Sequence, residues 1–191
     1  MTRSRFAALA ALATVLALTV VVLGAYVRLS HAGLGCPDWP GCYGHLTVPD
    51  RPEAVAAANA AYPERPLHSA KAWKEMAHRY LASGLGLIIL VLAGLAWAGR
   101  PRPGLRGEGL PVALPMLLVG LVIFQGLLGM WTVTLLVNPS IVTLHLAGGL
   151  ATLALLWWLT LTTGRLWVAH VSAELGRLRP WAWLGLGLLC L

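Results

Sequence analysis

The 191-residue chain is 58% hydrophobic and only 11% charged, which excludes an ordinary soluble domain and indicates a membrane protein. Its formal net charge of +7 would favour a nucleic-acid partner if the protein were soluble. Here the basic residues mostly flank apolar runs, as topology signals do. We therefore expect the lipid bilayer, and no nucleic acid, as a partner.

Four apolar runs are long enough to cross a bilayer, which takes about 20 residues. The first run lacks a small-residue cleavage site before Arg28 and exceeds the usual signal-peptide length of about 7–15 apolar residues, so a retained helix is favoured over a signal peptide. A fifth run begins near Trp181 and stops at Leu191, so we expect the sequence to be part of a longer protein. The predicted spans are approximately 6–28, 76–98, 110–131 and 140–163.

The distribution of arginines predicts the orientation of the spans. Arginines are concentrated at the N-terminus and in the loops 99–109 and 164–180, whereas the long loop 29–75 is mixed in sign. The positive-inside rule therefore places the N-terminus in the cytoplasm and loop 29–75 outside, in a multi-pass protein of the cell inner membrane. We expect an all-α integral membrane protein. Its predicted units are a four-helix transmembrane bundle at 1–163 and, at 164–191, a cytoplasmic loop with the truncated start of a second bundle.

Local signals predict where two of these helices begin. Asn138 can cap the fourth helix, with Pro139 at its first position, where the missing N–H costs nothing. Ser69 can cap a helix that runs into the second span. Residues 50–70 are rich in Ala and Pro and predict a surface helix with connectors.

Two histidines, His78 and His145, lie about one helical turn inside the second and fourth spans, which both start from the outer face. A histidine inside a membrane is a functional candidate, and two at matched depth suggest axial ligands of one haem iron. Glu75 shares a helix face with His78 because positions i and i+3 are neighbours, and Arg79 follows directly. Two plainer interpretations stay open. Glu75 could be a charge favoured by the helix dipole, and the histidines could be satisfied by interhelical hydrogen bonds.

The outer loop contains Cys36 and Cys42, separated by a rigid Pro-Asp-Trp-Pro-Gly turn. An oxidising compartment favours a disulfide between them. Metal binding with His31 or His45 is a rival, although the spacing is not a usual zinc pattern, and free thiols are a third possibility.

Arg28 ends the first span, where two interpretations are equally open. It could extend to the outer interface as a long basic side chain does, or it could pair with Glu75 or with an anionic group such as a haem propionate.

Three segments of the sequence together resemble the haem A synthase family. The match extends over residues 15–160, and the order of the cysteine loop, the Glu-x-x-His-Arg motif and the second histidine is highly specific. The resemblance departs from the family pattern at Ser30 and His31, where smaller residues are usual. The three segments are GAYVRLSHAGLGCPDWPGCYGHLTVP, EMAHRYLASGLG and FQGLLGMWTVTLLVNPSIVTLHLAGGLATL.

The resemblance implies eight transmembrane helices in two similar four-helix bundles, of which this chain would supply the first. It implies an oxidoreductase that oxidises the C8 methyl group of haem O to a formyl group, giving haem A for cytochrome oxidase. Haem b would be bound in the C-terminal bundle, and the reaction implies an electron donor. Delivery of haem O by haem O synthase and a homo-oligomer are both compatible with it.

The resemblance also assigns residues. It makes Glu75 the catalytic carboxylate and His78 with His145 the ligands of a haem iron. Cys36 and Cys42 match the outer-loop cysteine pair of the family, which supports the disulfide. We place Arg79 and Arg28 among the haem-binding residues.

A second function is possible from the histidine pair alone. A bis-histidine cytochrome subunit for quinone-linked electron transfer would need the same two ligands, with no chemistry on the porphyrin. The cysteine loop and Glu75 favour the enzyme, because electron transfer requires neither. A haem-free assembly subunit is a third reading, and the types of haem bound by the protein distinguish the three.

Overall fold

The computed structural model describes residues 2–100 and 109–164, which are helical apart from loops and one isolated bridge between Cys42 and His45. Within these ranges four helices are long and apolar enough to cross a membrane, so the prediction of an all-α multi-pass membrane protein is confirmed. The predicted loop 164–180 and the fifth apolar run lie outside the described residues, as does most of loop 99–109. The helices are α1 Arg3–Leu29, α2 Pro52–Ala61, α3 Ser69–Ala98, α4 Ala113–Thr134 and α5 Pro139–Thr163.

Helix α3 begins seven residues before the apolar run at 76–98 that predicted it. Hydropathy reports where a segment meets lipid, whereas the backbone hydrogen bonds continue through the polar first turns at 69–75. Ser69 does not cap this helix, contrary to prediction: the N-cap position is held by His68, which makes no side-chain capping bond.

Two other local predictions are confirmed. The Asn138 side chain accepts a hydrogen bond from the Ser140 N–H, with Pro139 as the first residue of α5. The surface helix expected within 50–70 is α2, which has Pro52 in its first turn.

The four long helices form a ring. Helix α1 packs against α3 and α5, and α4 packs against the same two helices. Helices α3 and α5 therefore face each other across the centre of the bundle, and each carries one of the two intramembrane histidines. This arrangement is that of a four-helix bundle, in which cofactor sites form between facing helices.

The apolar core occupies one end of the bundle, formed by the first half of α1 and the second halves of α3 and α5. Small residues on α1 let its neighbours approach closely, and the hydroxyls of Thr14 and Thr160 lie 3.0 Å apart across the α1–α5 contact. We call this core the inner cluster. Its buried members are Phe6, Ala10, Ala13, Ala17, Leu85, Ile89, Leu92, Ala96, Leu110, Leu118, Leu156 and Leu159.

A second apolar cluster lies at the opposite end, where the loop between α1 and α3 packs on the first turns of α3. Along α3, His78 lies between Met76 of this outer cluster and Leu85 of the inner one. The histidines therefore lie at a level between two separately packed ends. The buried members of the outer cluster are Cys36, Cys42, Tyr43, Val48, Ala58, Ala72 and Met76.

Candidate functional site

His78 and His145 face each other across the bundle, as their matched depth in the sequence predicts. Their ring centroids are 6.5 Å apart and the ring planes are nearly perpendicular, at 82°. The Nδ1 atom of each ring is buried and has no hydrogen-bond partner. An unpaired polar atom inside a membrane bundle is costly, so these two Nδ1 atoms are candidates for binding a ligand.

A glycine on a neighbouring helix lies beside each ring, and at His78 the close approach requires it. A Cβ atom at Gly24 of α1 would lie 2.9 Å from Cε1 of His78, closer than real contacts allow. A Cβ at Gly129 of α4 would lie 3.6 Å from Cε1 of His145. The absence of a side chain at Gly24 therefore lets the His78 imidazole lie directly against the backbone of α1.

These residues fit a haem iron held between α3 and α5. Two metal–imidazole bonds of about 2 Å, together with the two ring radii, span roughly 6 Å, close to the observed centroid separation of 6.5 Å. His78 and His145 would hold the iron of a haem, whose porphyrin would supply its other ligands. No group of three or more His, Cys, Asp or Glu side chains that could hold a bare metal ion occurs in residues 2–100 and 109–164.

Glu75 lies almost one turn outward of His78 and is 5% exposed. Its Oε2 atom accepts a hydrogen bond of 3.0 Å from the Cys36 N–H, and its Oε1 atom forms an ion pair with Arg79. The carboxylate therefore ties the disulfide loop to the helix that carries His78. The pairing of Glu75 with Arg28, which the sequence left open, is not the one the structure contains.

Arg79 extends toward the loop rather than the centre of the bundle. Its Nη1 atom donates to the carbonyl oxygens of Asp38 and Pro40, at 3.0 and 3.3 Å, and also to that of Gly41. Arg79 and Glu75 thus act together: one binds loop carbonyls, the other binds a loop N–H, and they neutralise each other. We call this pair the loop latch.

The predicted disulfide is confirmed, because Cys36 and Cys42 are bonded with their Cα atoms 4.8 Å apart. The bond occupies both sulfur atoms, so the metal-binding and free-thiol alternatives do not describe this loop. The loop backbone packs tightly on α3: a Cβ added at Gly35 would lie 2.6 Å from the carbonyl carbon of Lys71.

The loop has its own internal order. Asp38 accepts hydrogen bonds from the N–H groups of Tyr43 and Gly44, at 2.6 and 2.8 Å. The Tyr43 hydroxyl donates to the carbonyl oxygen of Arg65 at 2.9 Å, and burial raises the pKa of this hydroxyl. Tyr43 therefore stays neutral and keeps that bond throughout the physiological pH range.

Two basic side chains lie at the loop end of the bundle. Arg28 is exposed and lies one turn outward of Gly24, the residue that contacts His78. The Nζ atom of Lys74 lies 4.8 Å from the ring centroid of Tyr26. Positive charge is therefore available on the outer side of the histidines, where it can meet an anionic group of a ligand.

The other described histidines of the loop between α1 and α3 do not join the site. His31, His45 and His68 are exposed. Sequence reasoning missed two residues that do belong to this region, Gly24 and Gln125. Gln125 carried a usable signal, since an amide inside an apolar span is unusual.

The sequence comparisons agree with this geometry. A family model described as Cytochrome oxidase assembly protein matches residues 7–191. The chain belongs to this family. Its curated relatives include proteins named Heme A synthase, so the resemblance noted in the sequence is confirmed.

Three relatives show the extent of the match. Heme A synthase of Shewanella oneidensis is 42% identical over 172 residues, covering 90% of this chain and 50% of the relative. Heme A synthase of Halalkalibacterium halodurans is 30% identical over 150 residues, covering 76% and 43%. Heme A synthase of Alkalihalophilus pseudofirmus is 31% identical over 152 residues, covering 78% and 44%. The chain therefore spans about half the length of these relatives, and no solved structure matches it significantly.

Proposed function

We propose that this chain is the haem-binding N-terminal bundle of a haem A synthase, an oxidoreductase that converts the C8 methyl group of haem O to a formyl group. The observation that carries the proposal is the pair His78 and His145, which face each other at 6.5 Å across the bundle with unpaired Nδ1 atoms. The relatives named Heme A synthase support it. In this proposal residues 1–163 form one unit, which holds haem O as substrate, and haem b is bound in a second bundle that begins within 164–191.

Each side chain near the histidines has a role in the proposal. His78 and His145 would hold the iron from opposite helices and so position the substrate across the bundle. Bound haem supplies the redox chemistry, because no amino-acid side chain can oxidise an unactivated methyl group. Arg28 lies outward of the pair, where its charge can bind a carboxylate of the ligand.

Glu75 and Arg79 act on this site through the loop. The Glu75 carboxylate has both oxygens engaged, one by the Cys36 N–H and one by Arg79. We therefore assign Glu75, first expected to be catalytic, a positioning role: it holds the disulfide loop over the outer turns of α3, next to His78. Arg79 likewise supports the pocket by binding loop carbonyls.

The orientation and partners follow from the same proposal. The arginine bias places the N-terminus in the cytoplasm and loop 29–75 on the outer side of the cell inner membrane. The disulfide supports this orientation, since such bonds persist in oxidising compartments. The reaction would require a separate electron donor, and the proposal is compatible with delivery of haem O by haem O synthase and with a homo-oligomer.

Haem extraction tests the proposal. Haems are extracted from the protein purified from membranes and are resolved into the B, O and A types. Wild type and the loop variant His31→Asn should contain haem A, whereas His78→Ala and His145→Ala should lose it. Normal haem A content in either of these two variants would refute the proposal, and haem B alone in wild type would indicate an electron-transfer protein.

A further inference from the structure

Gln125 of α4 is a polar side chain inside the bundle whose role the histidine pair does not explain. We propose that its amide binds the hydroxyl group on the side arm that distinguishes haem O from haem B, and that Gln125 thereby selects the substrate. This inference rests on the proposed function. Gln125 would decide which porphyrin is bound, whereas the two histidines would bind the iron of any haem.

The first support is the state of the amide. The Nε2 atom of Gln125 is buried and has no hydrogen-bond partner. Glutamine carries two N–H donors on this atom, and leaving them unpaired in an apolar environment is unfavourable. A ligand that brings an oxygen to this point would remove that cost.

The second support is the position of the side chain. Gln125 lies one helical turn from Gly129, the glycine that contacts His145, and therefore about 6 Å further toward the inner cluster. Across from it, Gly148 lies one turn from His145 on α5, and a Cβ added there would collide with the Gln125 amide. Gln125 and Gly129 thus face Gly148 and His145, so the amide belongs to the same interhelical space as the histidine.

The third support is that the adjacent backbone offers no free acceptor. The carbonyl oxygen of Gly148 accepts a hydrogen bond of 2.8 Å from the hydroxyl of Thr152, besides its place in the α5 helix. The Gln125 amide lies against this glycine without bonding to it. The close approach therefore positions the amide without satisfying it.

The chemistry of the ligand matches this position. The basic side chains of Arg28 and Lys74 lie on the outer side of the histidines, so the propionates of a porphyrin would point outward. The opposite edge then faces inward, toward Gln125. In haem O that edge carries a hydroxyethyl-farnesyl arm, whose hydroxyl can accept a hydrogen bond from an amide, whereas haem B has a vinyl group there and cannot.

The size of the effect follows from hydrogen bonds measured in membrane proteins. Such bonds contribute enough to change an affinity by about 3- to 20-fold. We therefore expect Gln125→Met, an apolar change of similar length, to weaken haem O binding by about that factor. Binding of haem B should not change, because haem B has no hydroxyl to lose.

The experiment titrates purified protein, freed of bound haem, with haem O and separately with haem B. Binding to this bundle is the part of the bis-histidine absorbance that is absent when His78→Ala is titrated in the same way. The variants are Gln125→Met and, as a matched control on the exposed side of α4, Phe124→Leu. The inference predicts that wild type and Phe124→Leu prefer haem O, and that Gln125→Met reduces this preference by about 3- to 20-fold while retaining its affinity for haem B.

Two results would overturn the inference. One is an unchanged preference for haem O in Gln125→Met, and the other is an equal loss of affinity for both haems, which would make Gln125 a packing residue. Failure of the proposed function looks different. In that case His78→Ala would bind haem O and haem B as wild type does.

Discussion

Replacing Glu75 tests how the disulfide loop is held beside the histidine pair. Glu75→Ala removes the acceptor of the Cys36 N–H and the charge partner of Arg79, two groups that are both largely buried. Removing one partner of a buried ion pair costs about 3–5 kcal/mol. We expect the low end, about 3 kcal/mol, because Arg79 still binds three carbonyl oxygens of the loop.

Glu75→Gln should be milder. An amide oxygen can still accept a hydrogen bond, but the bonds to the Cys36 N–H and to Arg79 both lose the negative charge, at about 1 kcal/mol each, so the cost is about 2 kcal/mol. Since each 1.4 kcal/mol is a factor of about ten, amide exchange in the loop should accelerate by about 30-fold in Glu75→Gln and by about 100-fold in Glu75→Ala. Hydrogen-exchange mass spectrometry of the peptide 33–45 measures both.

The haem A yield of the same variants distinguishes positioning from direct chemistry. If Glu75 acts through the loop, the variant whose loop exchanges faster should make less haem A. The haem A yield should therefore fall further in Glu75→Ala than in Glu75→Gln, and haem O should accumulate in both. An exposed control, Glu64→Gln, should resemble wild type in both measurements. Equal inactivity of the Gln and Ala variants, with the loop still protected in Glu75→Gln, would refute the positioning role.

Two further substitutions test the loop and the histidine pocket. Cys36→Ser and Cys42→Ser should each lower the free energy of unfolding by about 2 kcal/mol, the low end for a disulfide, because the closed loop is short. Thermal unfolding measures the change, and equal stability with and without the bond would contradict its structural role. Gly24→Ala should weaken haem binding by about tenfold, because the new Cβ overpacks the His78 ring at a cost of about 1–3 kcal/mol. In the control Gly94→Ala nothing lies within 4 Å of the new Cβ, so haem binding should not change. Unchanged haem affinity in Gly24→Ala would show that the ring moves freely.

The four spans were predictable because a long apolar run has few alternatives to a membrane helix. The start of α3 was not, because the residues before Met76 are polar and their helical state depends on packing with the loop. The helix N-caps show the same limit. Asn138 caps α5 as predicted, but the N-cap residue of α3 is His68 and not Ser69.

The site itself divides in a similar way. The histidines and the disulfide could be predicted because their residue types are rare in such positions. The loop latch could not, because Glu75 and Cys36 are 39 residues apart and nothing in the sequence aligns them. The role of Gly24 could be recognised only once the order of helices around the bundle was known, whereas Gln125 was already marked as an amide inside an apolar span.

The central claim is that His78 and His145 bind one haem iron from opposite helices, and electron paramagnetic resonance of the ferric protein tests it most directly. Wild type and the loop variant His31→Asn should give the same low-spin signal. In His78→Ala and in His145→Ala, part of that signal should convert to high spin or be lost, and added imidazole should restore it. Retention of the full low-spin signal in either variant would contradict the claim.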